Sequence, residues 1–332
     1  MKIDNLVRII DGTLQTEPSI DAFERITFDA SRVLRGDLFI DSNASLQACA
    51  EASSKGAYAI VSTLDFKGDD HELAWIYVDA IEQALVKLLR YHVAEKALQC
   101  VCLSPLQASL LEMLQSPKSI KILKGTLIET AIELLRGREK DFFGIIDSAL
   151  CQNIAPTAQC IQTVNEVKVT QKGLFLSSFW YQNHCWLDQK IPSLFVPDLI
   201  AVANFCESNG LSYALENLSW SEHFYPQFVT PSLRKKEFGC SDKVLIFEPT
   251  IELLEQEIAY LQENCDASQW VLCLPNTCEK TFTCNAPILY YTQSEDIHML
   301  KEKNILYALI LGCKEDFEPL LNQSFIQQPT LF

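Results

Sequence analysis

Basic residues are scarce in this chain of 332: 27 Lys and Arg stand against 43 Asp and Glu, a formal net charge of −16. A surface of that sign repels a polyanion, which argues against nucleic acid as a partner. The one obvious basic cluster is Arg234-Lys235-Lys236. No apolar run approaches the roughly 18 residues of a membrane span. Met1-Lys2-Ile3-Asp4-Asn5 does not form a charged-then-apolar leader. These absences predict a cytoplasmic protein with no membrane insertion. The 13 cysteines contain no paired C-x-x-C. Cys273, Cys278 and Cys284, with His298 downstream, are the sharpest metal candidates, but their spacing is looser than that of structural zinc pairs. The expectation is therefore no metal. Cys100, Cys102, Cys206 and Cys273 sit inside apolar runs and read as reduced, small core hydrophobes. His184 and Cys185 are adjacent on a predicted strand and would point to opposite faces, so they do not make a thiol–imidazole pair.

Apolar residues make up 48 % of the chain and charged residues 21 %, a balance that supports real cores. Short apolar runs alternate with helical periodicity. Strands are predicted at 26–28, 37–40, 57–61, 76–78, 100–103, 142–146, 244–247, 270–274, 288–291 and 306–311, and helices at 45–55, 81–96, 199–207, 251–262, 294–303 and 316–322. Residues 174–187 read as a hairpin turning at Tyr181-Gln182-Asn183. Such alternation implies an α/β protein with parallel or mixed sheets and helices on their faces. Pro226 and Pro231, next to the basic cluster, mark a predicted linker. The most informative stretch is Cys100–Leu114, which reads as a buried strand, a turn at Ser104-Pro105 and a helix. In α/β proteins phosphate is often bound at such a turn, on the bare N–H groups of the helix start. A phosphate loop also needs glycines for close approach and a lysine for charge. This turn has neither.

Ala30-Ser31-Arg32-Val33, Arg35-Gly36-Asp37-Leu38-Phe39-Ile40 and Gly56-Ala57-Tyr58-Ala59-Ile60-Val61 together resemble the N-terminal domain of the Mur ligases. The resemblance is to the type that adds D-alanyl-D-alanine to UDP-N-acetylmuramoyl-tripeptide. It implies that Ser31, Arg32, Gly36 and Asp37 belong to a region holding the UDP part of a precursor. Arg32 offers a planar fork to phosphate or carboxylate and Ser31 a hydroxyl; a plain turn before a strand is the competing reading of Arg35-Gly36-Asp37. Ala30 stands where the family has aspartate, and the loop after the third strand is shortened to Asp41-Ser42-Asn43-Ala44. The family's ATP loop, V-T-G-T-N-G-K-T-T, falls on Val101-Cys102-Leu103-Ser104-Pro105-Leu106-Gln107-Ala108-Ser109. Leu103 and Leu106 replace its glycines, Gln107 its lysine and Ala108 its first threonine; Ser109 alone keeps a hydroxyl. Asp147 stands where a metal-binding glutamate ends a strand, Ile154-Ala155-Pro156 matches an I-A-P segment, and the helix carrying a modified lysine is missing after Val164-Asn165. Phe247-Glu248-Pro249-Thr250 is all that remains of the acceptor loop.

The resemblance implies a three-domain Mur-ligase-like architecture. Residues 1–97 would form the UDP-precursor domain, 98–229 a reduced central ATPase-like domain and 230–332 a small C-terminal Rossmann-like domain. The family reaction relies on positioning, magnesium and a lysine to stabilise charge on the transferred phosphoryl group. With those parts lost, the reading is a catalytically inactive, bacterial Mur-ligase-like protein. It would have no catalytic residue and no cofactor, and would bind a UDP-N-acetylmuramoyl peptide, UDP or a cell-wall synthesis protein. Two alternatives stay open: an active ATP-dependent muramoyl-peptide ligase with an atypical nucleotide site built on Asp147, Ser109 and Glu112, and a purely structural interaction scaffold. In either inactive reading, the leucines of the former loop are expected to fill the space that phosphate would need.

Overall fold

Three short strands, Leu38–Ile40 (β3), Ala59–Ser62 (β4) and Ala74–Tyr77 (β5), are apolar on both faces, so each must be covered twice. Leu38, Ile40, Val61 and Ile76 pack beneath helices Ile3–Ile10 (α1) and Ile81–Glu95 (α3). Phe39, Ile60 and Trp75 pack on the other side, under helix Leu46–Ser54 (α2) and the 3₁₀ turn Ala30–Arg32. Thr13–Leu14 (β1) and Ile26–Thr27 (β2) complete a five-stranded sheet of order β1-β5-β4-β3-β2, parallel except for β1. Ser45 caps α2, and Gly56 ends it with φ +86°, as the sequence predicts. This computed structural model describes residues 1–65, 71–114, 120–164, 166–241 and 243–321. Asn165 and Asn322, the latter expected to end the last helix, lie outside them.

The described chain forms two compact units, Met1–Ser104 with Lys118–Ile161, and Pro105–Pro117 with Gln162–Phe332. The first unit contains a second sheet. Gln99–Cys102 (β6), Ile120–Leu123 (β7), Phe142–Ile145 (β8) and Gln159–Cys160 (β9) lie in the order β7-β8-β6-β9, all parallel. Helices Leu127–Leu135 (α5) and Ser148–Ile154 (α6) share one apolar core with α3, so α3 serves both sheets. Helix Pro105–Met113 (α4) follows β6 in sequence but belongs to the second unit, where it packs on helix Val196–Ser208 (α7). The expected hairpin is the larger part of a three-stranded antiparallel sheet. Val169–Lys172 (β10) adds to Leu176–Tyr181 (β11) and His184–Gln189 (β12).

The second unit is organised by a five-stranded sheet. Tyr225–Val229 (β13), Lys243–Glu248 (β14), Trp270–Pro275 (β15), Ile288–Tyr291 (β16) and Tyr307–Leu311 (β17) have the order β13-β14-β17-β15-β16. Only β13 is antiparallel. The linker expected at 226–231 is therefore a correction. Pro226 sits in β13, an edge strand, where a missing N–H removes no ladder bond from a central neighbour. The chain then folds back through Thr230–Arg234, and Lys235 bridges to Val229, so the basic cluster is part of the fold. Leu245 and Phe247 pack with Ile297 and Leu300 of the 3₁₀ helix Ser294–Glu302 and with Phe317 and Leu320 of helix Lys314–Leu321 (α9). Val244, Ile246 and Glu248 alternate onto the opposite face, where Leu254–Asn264 (α8) buries Leu254, Ile258 and Leu261. Among the described residues no helix is long and apolar enough to cross a membrane.

Candidate functional site

The Asp29–Asp37 segment is built by two aspartates with different roles. Asp29 caps the 3₁₀ turn. Its Oδ1 accepts from Ser31 N–H at 2.9 Å and from the Ser31 hydroxyl at 2.6 Å, while Oδ2 lies 3.2 Å from Arg32 Nε. The two bonds from Ser31 hold the Asp29 carboxyl below the ordinary value. Arg32 remains four-fifths exposed, so its guanidinium is open to a second anion. Gly36 turns the chain at φ +94°, a conformation side chains rarely adopt. Asp37 is buried. Its carboxylate accepts from Arg25 Nε and Nη2 at 3.0 and 2.8 Å and from Leu34 N–H at 2.8 Å. Ser31 and Arg32 therefore face solvent, whereas Asp37 locks the turn from inside. Sequence reading missed Asp29, one position before the expected aspartate. Its signal is the Asp-x-Ser spacing of a short capped turn.

The loop after β3 is held together by Asp41. Buried Asp41 accepts from Ser45 N–H at 3.0 Å, from the Ser62 hydroxyl at 2.9 Å and from the Cys49 thiol at 3.3 Å. Burial and the Asp41 charge push the Cys49 thiol up to about 12, so it stays protonated and donates.

At the turn between β6 and α4 the two leucines are buried, Leu103 1 % exposed and Leu106 2 %. Leu103 lies over Gly144 of β8, with its N–H donating to Ile145 C=O at 3.0 Å. Its Cδ1 would stand 2.6 Å from a Cβ at Gly144, so the leucine fills the space that this glycine leaves. Ser104 is exposed, Pro105 opens α4 and Ala108 is buried. Gln107, at the lysine position, donates to Asp198 Oδ1 at 3.3 Å on α7, and Thr163 donates to the same oxygen at 2.8 Å. The Ser109 hydroxyl is 3.0 Å from that of Ser221, and both are buried. Asp147 is the N-cap of α6, its Oδ1 accepting from Leu150 N–H at 2.9 Å.

A buried charged group in the second unit was not legible as a site. His223, 2 % exposed, places Nδ1 2.8 Å from Glu248 Oε1, so Nδ1 carries the proton and donates. The same oxygen accepts from Thr250 N–H and hydroxyl at 2.8 and 2.6 Å, and Oε2 accepts from Phe224 N–H at 3.2 Å. Burial alone would raise the Glu248 carboxyl, but the bonds from His223, Glu257 and Thr250 outweigh it and hold it below the ordinary value. Glu257 of α8 is completely buried with no N–H partner. Burial, then the Glu248 charge beside it, push its carboxyl well above the usual range, so it meets Glu248 as the protonated acid. The available signal was Glu257 on the apolar stripe of Leu254, Ile258 and Leu261.

Next to this group is a cavity of about 200 Å³, lined by Trp220, Glu222, Tyr225, Pro249, Cys313 and Lys314 among others. It lies beyond the C-terminal ends of β14 and β17. These neighbouring strands lead to helices on opposite faces, the crevice where α/β sheets usually take ligands. Lys314 Nζ lies over the Tyr225 ring at 4.4 Å. Among the described residues His223 Nε2 has no hydrogen-bond partner, and Glu222 Oε1 stands 3.9 Å away. An imidazole held through Nδ1 by a buried carboxylate has the form of a general base, but here no hydroxyl or thiol is paired with Nε2. Cys273 lies in the apolar core, and among the described residues no group of three or more His, Cys, Asp or Glu is placed to hold a metal.

No protein-family model matches this chain, and no curated protein matches it in sequence. Solved structures do match its fold. A crystal structure of MurF from Acinetobacter baumannii aligns with a TM-score of 0.55 at 10 % identity, over 96 % of this chain and 97 % of that one. MurF ligase from Thermotoga maritima, in complex with ADP, aligns with a TM-score of 0.56 at 10 % identity, over 90 % and 97 %. The chain has a Mur ligase-like α/β fold.

Proposed function

We propose, starting from this Mur ligase-like fold, that the chain is a catalytically inactive relative of the muramoyl-peptide ligases. It works in the cytoplasm and binds a UDP-linked peptidoglycan precursor, or a cell-wall synthesis protein, without phosphoryl transfer. The division at 97/98 and 229/230 into precursor, central and C-terminal domains belongs to this reading. One observation carries it: the buried Leu103 side chain occupies the space above Gly144, at a position where a phosphate loop needs bare backbone. Gln107 and Ser109, at positions of the lysine and the second threonine, are bonded to Asp198 and Ser221 of their own chain. Exposed Arg32 supports the binding half of the reading, its guanidinium open to solvent beside the Gly36 turn and Ser31 bonded to the Asp29 cap next to it.

A thermal-shift comparison of ATP, UDP, UDP-N-acetylmuramic acid and its peptides tests the proposal. A ligand that binds only the folded state raises the melting temperature. UDP compounds are expected to stabilise the protein and ATP with magnesium to leave it unchanged. Stabilisation by ATP, or phosphate release with a muramoyl tripeptide and D-alanyl-D-alanine, would overturn inactivity. Failure of every UDP compound and of any cell-wall protein to bind would overturn the binding half.

A further inference from the structure

Two thiols face each other across the end of β6, with a third close by on α6. Cys102 and Cys160 are register partners across the parallel β6–β9 pairing, and Cys151 of α6 is near enough to influence the Cys102 thiol. Cys102 and Cys151 are buried, while Cys160 is exposed. β9 is only two residues long and pairs with β6 alone. An exposed thiol paired in register with a buried one is a geometry that apolar packing does not require.

We propose that Cys160 and Cys102 form a peroxide-sensitive dithiol, in which a hydroperoxide oxidises the exposed Cys160 and Cys102 closes a disulfide that ties β9 to β6. In the first step the Cys160 sulfur attacks the terminal peroxide oxygen. The O–O bond breaks, leaving Cys160 as a sulfenic acid and releasing water or the corresponding alcohol. In the second, the Cys102 sulfur attacks the Cys160 sulfur and the S–O bond breaks. The departing hydroxide takes the Cys102 proton and leaves as water. Two thiols lose two electrons and the peroxide gains them. Neighbouring strands lie roughly 4.8 Å apart, inside the Cα separation of about 4.4–6.8 Å that a disulfide spans. The order follows from access and ionisation. Burial, then the neighbouring thiols, push Cys102 up to about 12, and burial pushes Cys151 up to about 11, so neither is a ready nucleophile for dissolved peroxide. Once Cys160 is a sulfenic acid, the register partner Cys102 on the adjoining strand replaces a bimolecular encounter by an intramolecular one.

The full chain, reduced and then treated with hydrogen peroxide with and without dimedone, is to be mapped by non-reducing peptide mass spectrometry. The expected product is a Cys102–Cys160 linked peptide, two hydrogens lighter than its parts. The exposed Cys240 and Cys313 serve as internal controls and should keep dimedone-trappable sulfenic acids. Cys102→Ala should raise the dimedone adduct at Cys160 about tenfold or more, and Cys151→Ala should keep the bridge. Matching circular dichroism melts establish that the variants are folded. A Cys160 bridged to any other cysteine, or one that stays unbridged in the wild-type chain while Cys240 and Cys313 react, would overturn the proposal.

Discussion

Leu103 and Gly144 face each other so closely that a Cβ on the glycine would stand 2.6 Å from the leucine Cδ1. Leu103 is 1 % exposed, so it can give way only by disturbing its packed neighbours. Gly144→Ala is therefore expected to cost about 1–3 kcal/mol through overpacking, and Leu103→Ala about 2–5 kcal/mol through the cavity it leaves. The double variant should be less destabilised than the sum, because removing the leucine makes room for the methyl group. Urea melts of the four proteins measure the coupling; strict additivity would show that the two side chains do not compete for one space.

Arg32 and Asp37 occupy opposite environments in the same turn, one open to solvent and the other buried. Arg32 is four-fifths exposed, so Arg32→Ala should leave the melting temperature of the free protein unchanged. If its guanidinium meets a phosphate, the variant should bind UDP compounds about tenfold more weakly. Calorimetric titration with UDP checks this, and unchanged affinity would remove Arg32 from the site.

Asp37 acts from the inside. Asp37→Ala removes the acceptor of Leu34 N–H and of the Arg25 fork, at an expected cost of about 1–3 kcal/mol in urea unfolding. A variant as stable as wild type would show that the turn holds its shape by the Gly36 backbone alone.

Glu257 imposes a pH dependence of known sign. Its folded carboxyl is raised well above 4.5, so the folded chain holds a proton that the unfolded chain releases. Stability must fall as pH rises from about 4.5 towards that raised value. Glu248 acts in the other direction: its lowered carboxyl contributes stability that is present above about 4.5 and is lost as pH falls through the folded value. Glu257→Gln keeps the shape and a donor towards Glu248 but has no proton to lose. It should gain stability relative to wild type as pH rises from about 5, with little difference below about 4. Denaturant midpoints across that range decide it, and parallel curves would mean that Glu257 titrates normally.

Much of the fold follows from local rules that sequence carries. Ser45 and Gly56 bound a helix because a hydroxyl caps its start and a glycine accepts the left-handed turn at its end. Val244–Phe247, Trp270–Leu274 and Leu306–Leu311 read as strands because unbroken apolar runs of that length are buried on both faces. Five strands escaped, β1, β7, β9, β10 and β13, and the last two show why. Tyr225–Val229 was hidden by Pro226, which a central strand could not tolerate but an edge strand can. Val169–Lys172 is half-buried or exposed throughout, so its pairing with β11 leaves no apolar signature.

The sequence by itself determined the alternation of the longer buried strands and helices, and the absence of glycine and lysine from the Ser104–Ser109 turn. Both depend on residue identity and near neighbours. Only the tertiary structure decided which groups meet. His223 and Glu248 lie 25 residues apart and come together because β13 pairs antiparallel with β14. Gln107 reaches Asp198 because α4 packs on α7. Cys102 and Cys160 become neighbours because β9 adds to the edge of β6. Such contacts depend on strand order and helix docking, which many similar sequences could satisfy differently. Burial then determines what each group does: it keeps the Glu257 carboxyl protonated, the Cys102 thiol neutral and the Leu103 side chain in place over Gly144.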